Sequence, residues 1–472
     1  MAAAADHAHD PYAALRAPGF RAFLAGNFLA TLGRQAVTAA AAWEIYDRTQ
    51  SGMALGLVGL VNVLPLLALS LPAGALADRA DRKGIIARSQ AGLCVLSTAL
   101  AGLSWWHARV PDWGPLRAGN AALRWLAGIF ERHPETVKFD EPALPLMFAL
   151  LFLMACLRVL SWPARSSIIP RLLPRAALGG AITWNSSAFE IATIGGPALA
   201  GFVVAGLDFR AVYLLDAVLG AAFCLMLRRV RYLREEEGVA RLGRGGKGTA
   251  GGGNPGPPGP GHGNHHDAHW LAGARFIWSR KVVLGASALD LFAVLLGGAL
   301  STLLPVFAAE VLHVGKIGLG WLQAAQSVGA VSMALWLTHR APMERPGRAM
   351  LWSVVGFGVA VIVFGLSSWF WLSFAALVVA GACDNISVVV RQSLVQFLTP
   401  DALRGRVTAV NQIFIGTSNE AGALRAGLME ARFGPVAAVV VGGIGTLAVV
   451  GAVAWRFAPL RRLKELHTLR AE

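Results

Sequence analysis

The chain has 472 residues, of which 55% are hydrophobic and only 15% charged, where soluble domains carry about a quarter charged residues. A globule of this length lacks the interior to hide so much apolar side chain, so a soluble enzyme is excluded. The formal net charge of +15 leaves three sources: nucleic-acid binding, attraction to anionic lipid, or the cytoplasmic loops of a membrane protein.

In chain order, the first stretch, MAAAADHAHDPYAALRAPGF, has neither a basic start nor an apolar core and is not expected to be a cleaved signal. Apolar runs of the length that crosses a bilayer, about 20 residues, then fall at about 20–45, 53–77, 84–106, 142–163, 178–204 and 210–227. A second set follows at about 281–309, 315–338, 349–367, 369–390, 407–430 and 434–457. The ten-residue alternation of a membrane barrel is absent, so the spans are helical. Gly, Ala and Ser within them permit close helix approach. Cys94, Cys156, Cys224 and Cys383 all lie in apolar runs and do not read as a disulfide framework.

Two segments interrupt the spans. The loop 107–141 contains AALRWLAGIFER, which spaces Leu123, Leu126 and Phe130 on one helical face, as a helix on the outer membrane surface would. Residues 228–280 open with Arg228, Arg229, Arg231 and Arg234 and turn into a Gly/Pro-rich tract that cannot bury a core, hence a flexible linker. Its last part puts Trp270, Ala274, Ile277 and Trp278 on one side, predicting an interfacial helix. The GGKGT of this linker is no phosphate loop, because Gly248 stands where Ser or Thr must hold magnesium. His262, His265, His266 and His269 with Asp267 read as an incidental cluster rather than a metal site.

Placing the N-terminus inside puts 30 of the 42 Lys and Arg on the inner side and nine on the outer, with Arg34, Arg158 and Arg425 within spans. The positive-inside rule then predicts both termini in the cytoplasm and removes the nucleic-acid reading. A shift of 226 residues lays SSIIPRLLPRAALGGAITWN onto QSLVQFLTPDALRGRVTAVN. It pairs Arg165 with Arg391, Pro174 with Pro400, Asn185 with Asn411, Gly196 with Gly422 and Gly201 with Gly427. Spans 4–5 and 10–11 are therefore one repeated unit, and two such halves around a midplane site are the design of many secondary transporters.

The loop after span 2, Gly74-Ala-Leu-Ala-Asp78-Arg79-Ala-Asp81-Arg82-Lys83, resembles the loop 2–3 signature of the major facilitator superfamily, G-x-L-a-D-r-x-G-r-k. Asp81 stands where that pattern has Gly, and the DRxDR variant resembles the branch of enterobactin exporters and macrolide efflux proteins. Gly196-Pro197-Ala-Leu-Ala200-Gly201 is similar to the G-P-x-x-G-G motif of antiporters in the superfamily, with Ala200 replacing one Gly. Thr399-Pro400-Asp401, Arg404-Gly405-Arg406 and Asn411 also look typical of this branch. The resemblance implies a proton-driven exporter of a drug, macrolide or siderophore that rocks two halves between inward- and outward-open states.

Independently of the family, Asp78, Arg79, Arg82 and Lys83 form a tight inner turn where a carboxylate can pair with arginine or cap a helix, a gating role for the turn with Gly74. Gly196, Pro197 and Gly201 permit close packing and a kink. Ionisable groups at membrane depth are functional candidates by default. Glu190 lies roughly 18 Å into span 5 and Asp290 roughly 14 Å into span 7 at 1.5 Å per residue; with Glu420 in span 11 they are the proton-coupling candidates, since a carboxylate at such depth can exchange a proton near neutral pH. Arg158 and Asp384, equivalent under the shift of 226, and Arg34 are the substrate or gating candidates.

The expectation is an all-α membrane protein with twelve transmembrane helices in two pseudo-symmetric halves, 1–227 and 281–472, joined by the linker 228–280. It is no enzyme and takes no cofactor or metal. Its partners are a small-molecule substrate, protons and the lipid bilayer; it binds no nucleic acid and acts as a monomer in a bacterial inner membrane. Uptake or flipping of a lipid-like substrate on the same fold is the alternative, and a non-transporting sensor or scaffold the third reading.

Overall fold

The structure is a computed structural model that describes residues 12–130, 139–174, 177–230, 269–338 and 345–461. A long helix lies over each of the twelve predicted spans. These are α1 (Pro18–Thr49), α2 (Gly52–Arg79), α3 (Arg82–Trp106), α4 (Ala143–Ile168), α5 (Leu178–Gly206), α6 (Phe209–Arg229), α7 (Lys281–Gly297), α8 (Gly315–Thr338), α9 (Pro346–Leu366), α10 (Phe370–Leu398), α11 (Asp401–Phe433) and α12 (Pro435–Arg456). Nine of them meet the length and hydropathy of a membrane span among the described residues, α1, α8 and α11 being the other three.

Local chemistry sets the ends. Ser51 caps α2 by accepting from Ala54 N at 3.3 Å, Asp208 caps α6 through Phe209 N at 2.7 Å, and proline occupies the first turn of α1, α9 and α12. The predicted single span 281–309 is instead divided: α7 stops at Gly297, and after Gly298 a helix Ala299–Val306 continues into a π-turn, Phe307–Val311. Arg425 of α11 donates from Nε to Leu295 O at 2.9 Å and from Nη2 to Leu296 O at 2.6 Å. Those are carbonyls that lose their helical partners at the break, and in a membrane each needs another.

Neighbour relations repeat when each helix is advanced by six. Helix α1 packs on α5 and α6, as α7 packs on α11 and α12; α3 packs on α4 and α6, as α9 packs on α10 and α12. The same shift relates the two most extensive contacts between halves, α2 with α11 and α8 with α5. The largest apolar cluster joins both halves, uniting Val37, Leu57, Phe148 and Tyr213 with Leu303, Phe307, Phe364 and Ala426. It occupies the end of the bundle away from the termini, here the far end. Near the termini each half keeps its own cluster, Phe20, Ile86, Ile168 and Phe223 in one and Ala286, Met350, Leu394 and Val450 in the other.

A helix forms in each of the two stretches that interrupt the spans. Gly114–Phe130 lies against the start of α4, with Asn120 Nδ2 donating to Glu141 O at 3.0 Å, Leu123 packed on the shared core, and Trp113 and Trp125 exposed. In His269–Ser279, Ala274 and Ile277 are buried against Val283, Val395 and Val407, while Trp278 points away and is exposed. The rest of the linker, with its histidines 262, 265 and 266, lies outside the described residues.

Candidate substrate and coupling site

The interior of the first half holds charge that four helices share. Arg165 of α4 donates from Nη1 to Asn27 Oδ1 of α1 at 3.0 Å and from Nη2 to Gln90 Oε1 of α3 at 2.7 Å. Its guanidinium lies 5.2 Å from the ring centre of Phe223 of α6. Asp216 of α6 is buried, accepts from Ser97 Oγ at 2.5 Å, and lies within electrostatic reach of Arg34, Arg158 and Arg165. Across the boundary between halves, Glu420 of α11 is within reach of Arg158 and Arg34 and is hydrogen-bonded by the Asn62 side chain of α2. Arg34 sits 5.9 Å from the ring centre of Phe189. The Nε atoms of Arg34 and Arg158 are buried and have no hydrogen-bond partner among the described residues.

The second half repeats this plan with a different charge. Arg391, the repeat equivalent of Arg165, reaches back to the first helix of its own half and forms an ion pair with Asp290 at 3.2 Å. Where the first half has the amide Asn27, the second has a carboxylate. Asp290 and Asp384 line one narrow cavity with Phe357, Cys383 and Ser387. Asp384 is exposed, and the carboxylates within electrostatic reach of Arg158, its repeat equivalent, are Asp216 and Glu420. The structure thus brings Arg34, Arg158 and Glu420 together and places Asp290 and Asp384 in a separate cluster. Glu190 lies on α5, and its side chain is outside the described residues.

Sequence reasoning missed Asp216, although it stands inside the apolar run 210–227. It also assigned Arg165 and Arg391 to inner loops, because spans 4 and 10 were drawn to 163 and 390. The helices run on to Ile168 and Leu398 and carry both arginines inside.

At the predicted gating turn, the residue that caps α3 is Asp81, the one by which the motif departs from its family. Its carboxylate accepts from Gly84 N at 2.9 Å and from Lys83 N at 3.3 Å. Arg82 Nη1 donates to Ser167 O at 2.8 Å near the end of α4, and Lys83 Nζ to Val230 O at 2.7 Å beyond α6. Cations on helix C-termini complement the dipole and orphan carbonyls, so these two bind the turn to its own half. Asp78 and Arg79 fall in the last turn of α2, and their side chains lie outside the described residues. A Cβ on Gly74 would meet nothing within 4 Å. Asp81→Ala is expected to cost about 1 kcal/mol and Asp81→Gly only a few tenths, read as melting temperature in detergent.

In the antiporter-like motif, packing explains each glycine. A Cβ on Gly196 would lie 2.4 Å from Gln35 Cβ and 2.9 Å from Leu32 O of α1. One on Gly201 would lie 2.5 Å from the Cα of Gly320 on α8. Pro197 is inside an otherwise continuous α5. The repeat equivalents behave alike, Gly422 lying against the α7 backbone and Gly427 against Gly52 O and Gly56 Cα of α2.

The far end carries its own polar ties. Tyr46 of α1 donates to Glu310 Oε1 of the other half at 2.5 Å. Buried Glu44 accepts from Arg48 Nη2 at 2.5 Å and Ser104 Oγ at 2.6 Å on one oxygen, and from Tyr213 Oη at 2.6 Å on the other.

A Major Facilitator Superfamily family model matches residues 23–344. The chain belongs to that superfamily. The proteins of this superfamily are multi-pass membrane transporters rather than enzymes. Among curated proteins the chain is similar to the enterobactin exporter of Citrobacter koseri, 31% identical over 195 residues, which are 41% of this chain and 46% of that protein. The enterobactin exporter of Escherichia coli O1:K1 is 29% identical over the same share. The chain thus spans about half the length of the curated relatives it matches. Among solved structures, a bacterial homologue of the human lysosomal transporter Spinster, inward-facing and occupied, has TM-score 0.60 at 14% identity, covering 97% of this chain and 100% of that one. A POT family transporter in complex with 5-aminolevulinic acid has TM-score 0.62 at 12% identity, covering 94% and 97%. The inward-open xylose transporter of E. coli has TM-score 0.58 at 15% identity, covering 95% and 98%. At these identities the likeness is one of fold.

Proposed function

We propose that this superfamily member exports an amphipathic small molecule, such as a drug, macrolide or siderophore, in exchange for protons. The observation that carries the reading is that Glu420 of one half lies within electrostatic reach of Arg34 and Arg158 of the other. A proton on Glu420 removes the counter-charge of two arginines, so proton loading and substrate binding act on the same groups. Asp290 on Arg391 offers a second such carboxylate, and Glu190 a third candidate. Similarity to enterobactin exporters supports export and a large amphipathic cargo.

With both termini in the cytoplasm of a bacterium, the shared core at the far end closes the outer side, and the separate clusters near the termini belong to an inward-facing state. Residues 1–227 and 281–472 act as rocking units on the linker 228–280, and the monomer is the working unit. The basic turn, Arg82 and Lys83 with Asp78 and Arg79, holds the inner ends of the first unit together as it rocks.

Inverted vesicles with an imposed pH gradient, offered a compound panel in the outer medium, test the coupling. Uptake into the vesicles should follow the gradient and fall at least tenfold, about 1.4 kcal/mol, in Glu420→Gln or Asp290→Asn. Movement that ignores the gradient, with Glu190→Gln, Asp290→Asn and Glu420→Gln all fully active, would overturn it. For topology, a chain whose four cysteines are replaced should label from opposite membrane faces at Ala250→Cys and at exposed Ala121→Cys; labelling from one face breaks the orientation.

A further inference from the structure

We propose that Arg34 and Arg158 form an anion-binding site, and that the molecule moved carries an anionic oxygen group, a carboxylate or its like, on an apolar body. The inference deepens the export reading and rests on it for the site's place between the halves.

A guanidinium keeps its charge in a protein and presents five N–H donors, so its burial has to be matched by acceptors. Arg165 meets most of that demand from Asn27 and Gln90. Arg425 meets it from two backbone carbonyls, and Arg391 faces Asp290. A buried Nε without a hydrogen bond is common to Arg34, Arg158, Arg165 and Arg391; Arg34 and Arg158 differ in that no nitrogen of either guanidinium makes a hydrogen bond or ion pair to a described residue. Their carboxylate neighbours Asp216 and Glu420 act through electrostatic reach alone, Asp216 being held by Ser97 Oγ and Glu420 by Asn62. Two arginines with donors to spare, on helices α1 and α4, face the boundary with α11. That is the geometry that receives a carboxylate by paired, charge-assisted hydrogen bonds. An ammonium group would add donors to two side chains that already have donors to spare. The ring of Phe189 beside Arg34 gives the bound anion an apolar wall.

The test uses the full chain, purified in a neutral detergent, and equilibrium dialysis of three matched probes: 2-naphthoate, 2-naphthamide and 2-naphthylmethylammonium. Naphthoate should bind roughly tenfold more tightly than the amide, the size of one charge-assisted hydrogen bond, and the ammonium more weakly still. Arg34→Gln and Arg158→Gln should each bring naphthoate to within about twofold of naphthamide, Arg158→Lys should keep part of the preference, and Arg456→Gln, at the exposed end of α12, should keep all of it. Equal binding of naphthoate and naphthamide by the unaltered chain overturns the proposal, whatever the variants do. So does a preference for naphthoate that survives both Arg→Gln changes. Because dialysis needs neither a gradient nor flux, failure of proton coupling leaves this result intact, and failure of anion binding leaves the vesicle result intact.

Discussion

Glu44→Leu should destabilise the protein by about 3–5 kcal/mol, the loss expected when one member of a buried charged network is removed. Glu44 is 2% exposed and serves three donors from three helices: Arg48 on its own helix, Ser104 on α3 and Tyr213 on α6. Arg48 also donates to Glu141 Oε2 ahead of α4 at 2.6 Å, so the network ties four helices of the first half at the far end. With leucine in place, a hydroxyl at Tyr213 and one at Ser104 lose their acceptor where water does not replace it, and Arg48 keeps only its half-exposed partner. Glu44→Gln retains the shape and one carbonyl acceptor and should cost less; Ser104→Ala, which leaves Arg48 and Tyr213 paired, should cost about 1 kcal/mol. The order of melting temperatures in mild detergent checks this: Leu lowest, Gln between, Ser104→Ala nearest the parent. Combining Glu44→Leu with Arg48→Met and Tyr213→Phe should recover part of the loss, since an all-apolar replacement strands no polar group. A Glu44→Leu protein that melts with the parent would remove the network from the account of stability.

The helices were legible because a bilayer demands a long apolar run for each crossing, and such a demand is written locally. The repeat was legible for a related reason: Gly196, Gly201, Gly422 and Gly427 are held by backbone contacts that permit no side chain, so the residue type survives in both halves. What failed was whatever depends on partners far along the chain. Gly297-Gly298 shows in the sequence, yet the break there stands because Arg425, more than a hundred residues later, takes the freed carbonyls. Arg165 and Arg391 looked like loop charges because α4 and α10 outlast their apolar stretch, and only the acceptors Asn27, Gln90 and Asp290 make the extra turns bearable. Asp78 was read as a gating carboxylate that pairs with arginine or caps a helix, and capping geometry favours the residue immediately before the helix, which is Asp81. Glu190, Asp290 and Glu420 were chosen by depth alone, and depth does not tell that Glu420 faces two arginines across the halves while Asp290 stays within its own.

Gly201→Leu and Gly427→Leu should each open the far end. In the structure the first glycine rests on Gly320 and the second on Gly56, so both seams between the halves are glycine on glycine. A Cβ at 201 would stand 2.5 Å from the Cα of Gly320, and one at 427 would stand 2.7 Å from Gly52 O and from Gly56 Cα. These obstacles are backbone and cannot rotate away, and carbon atoms need about 3.5–4.0 Å, so the helices must part by an ångström or more. Within a membrane, helix association rests largely on close packing, and separation at the seam removes the contacts that favour the state closed at this end. The two-state balance then moves toward the alternative by whatever packing is lost. A cysteine at Ala426, buried in the shared core of the parent, reports the change. Its labelling by an impermeant maleimide should quicken at least tenfold in either variant, about 1.4 kcal/mol of shift, and stay unchanged in Gly451→Ala, where a Cβ meets nothing within 4 Å. Because the two glycines are repeat equivalents on opposite halves, the pseudo-symmetry makes a stricter demand: the two variants should act alike, and the double variant should gain less than the sum, since opening either seam already separates the same two bodies. Labelling that quickens in one variant alone would mean that the seams open independently, and a rigid rocking motion of two halves would have to be abandoned.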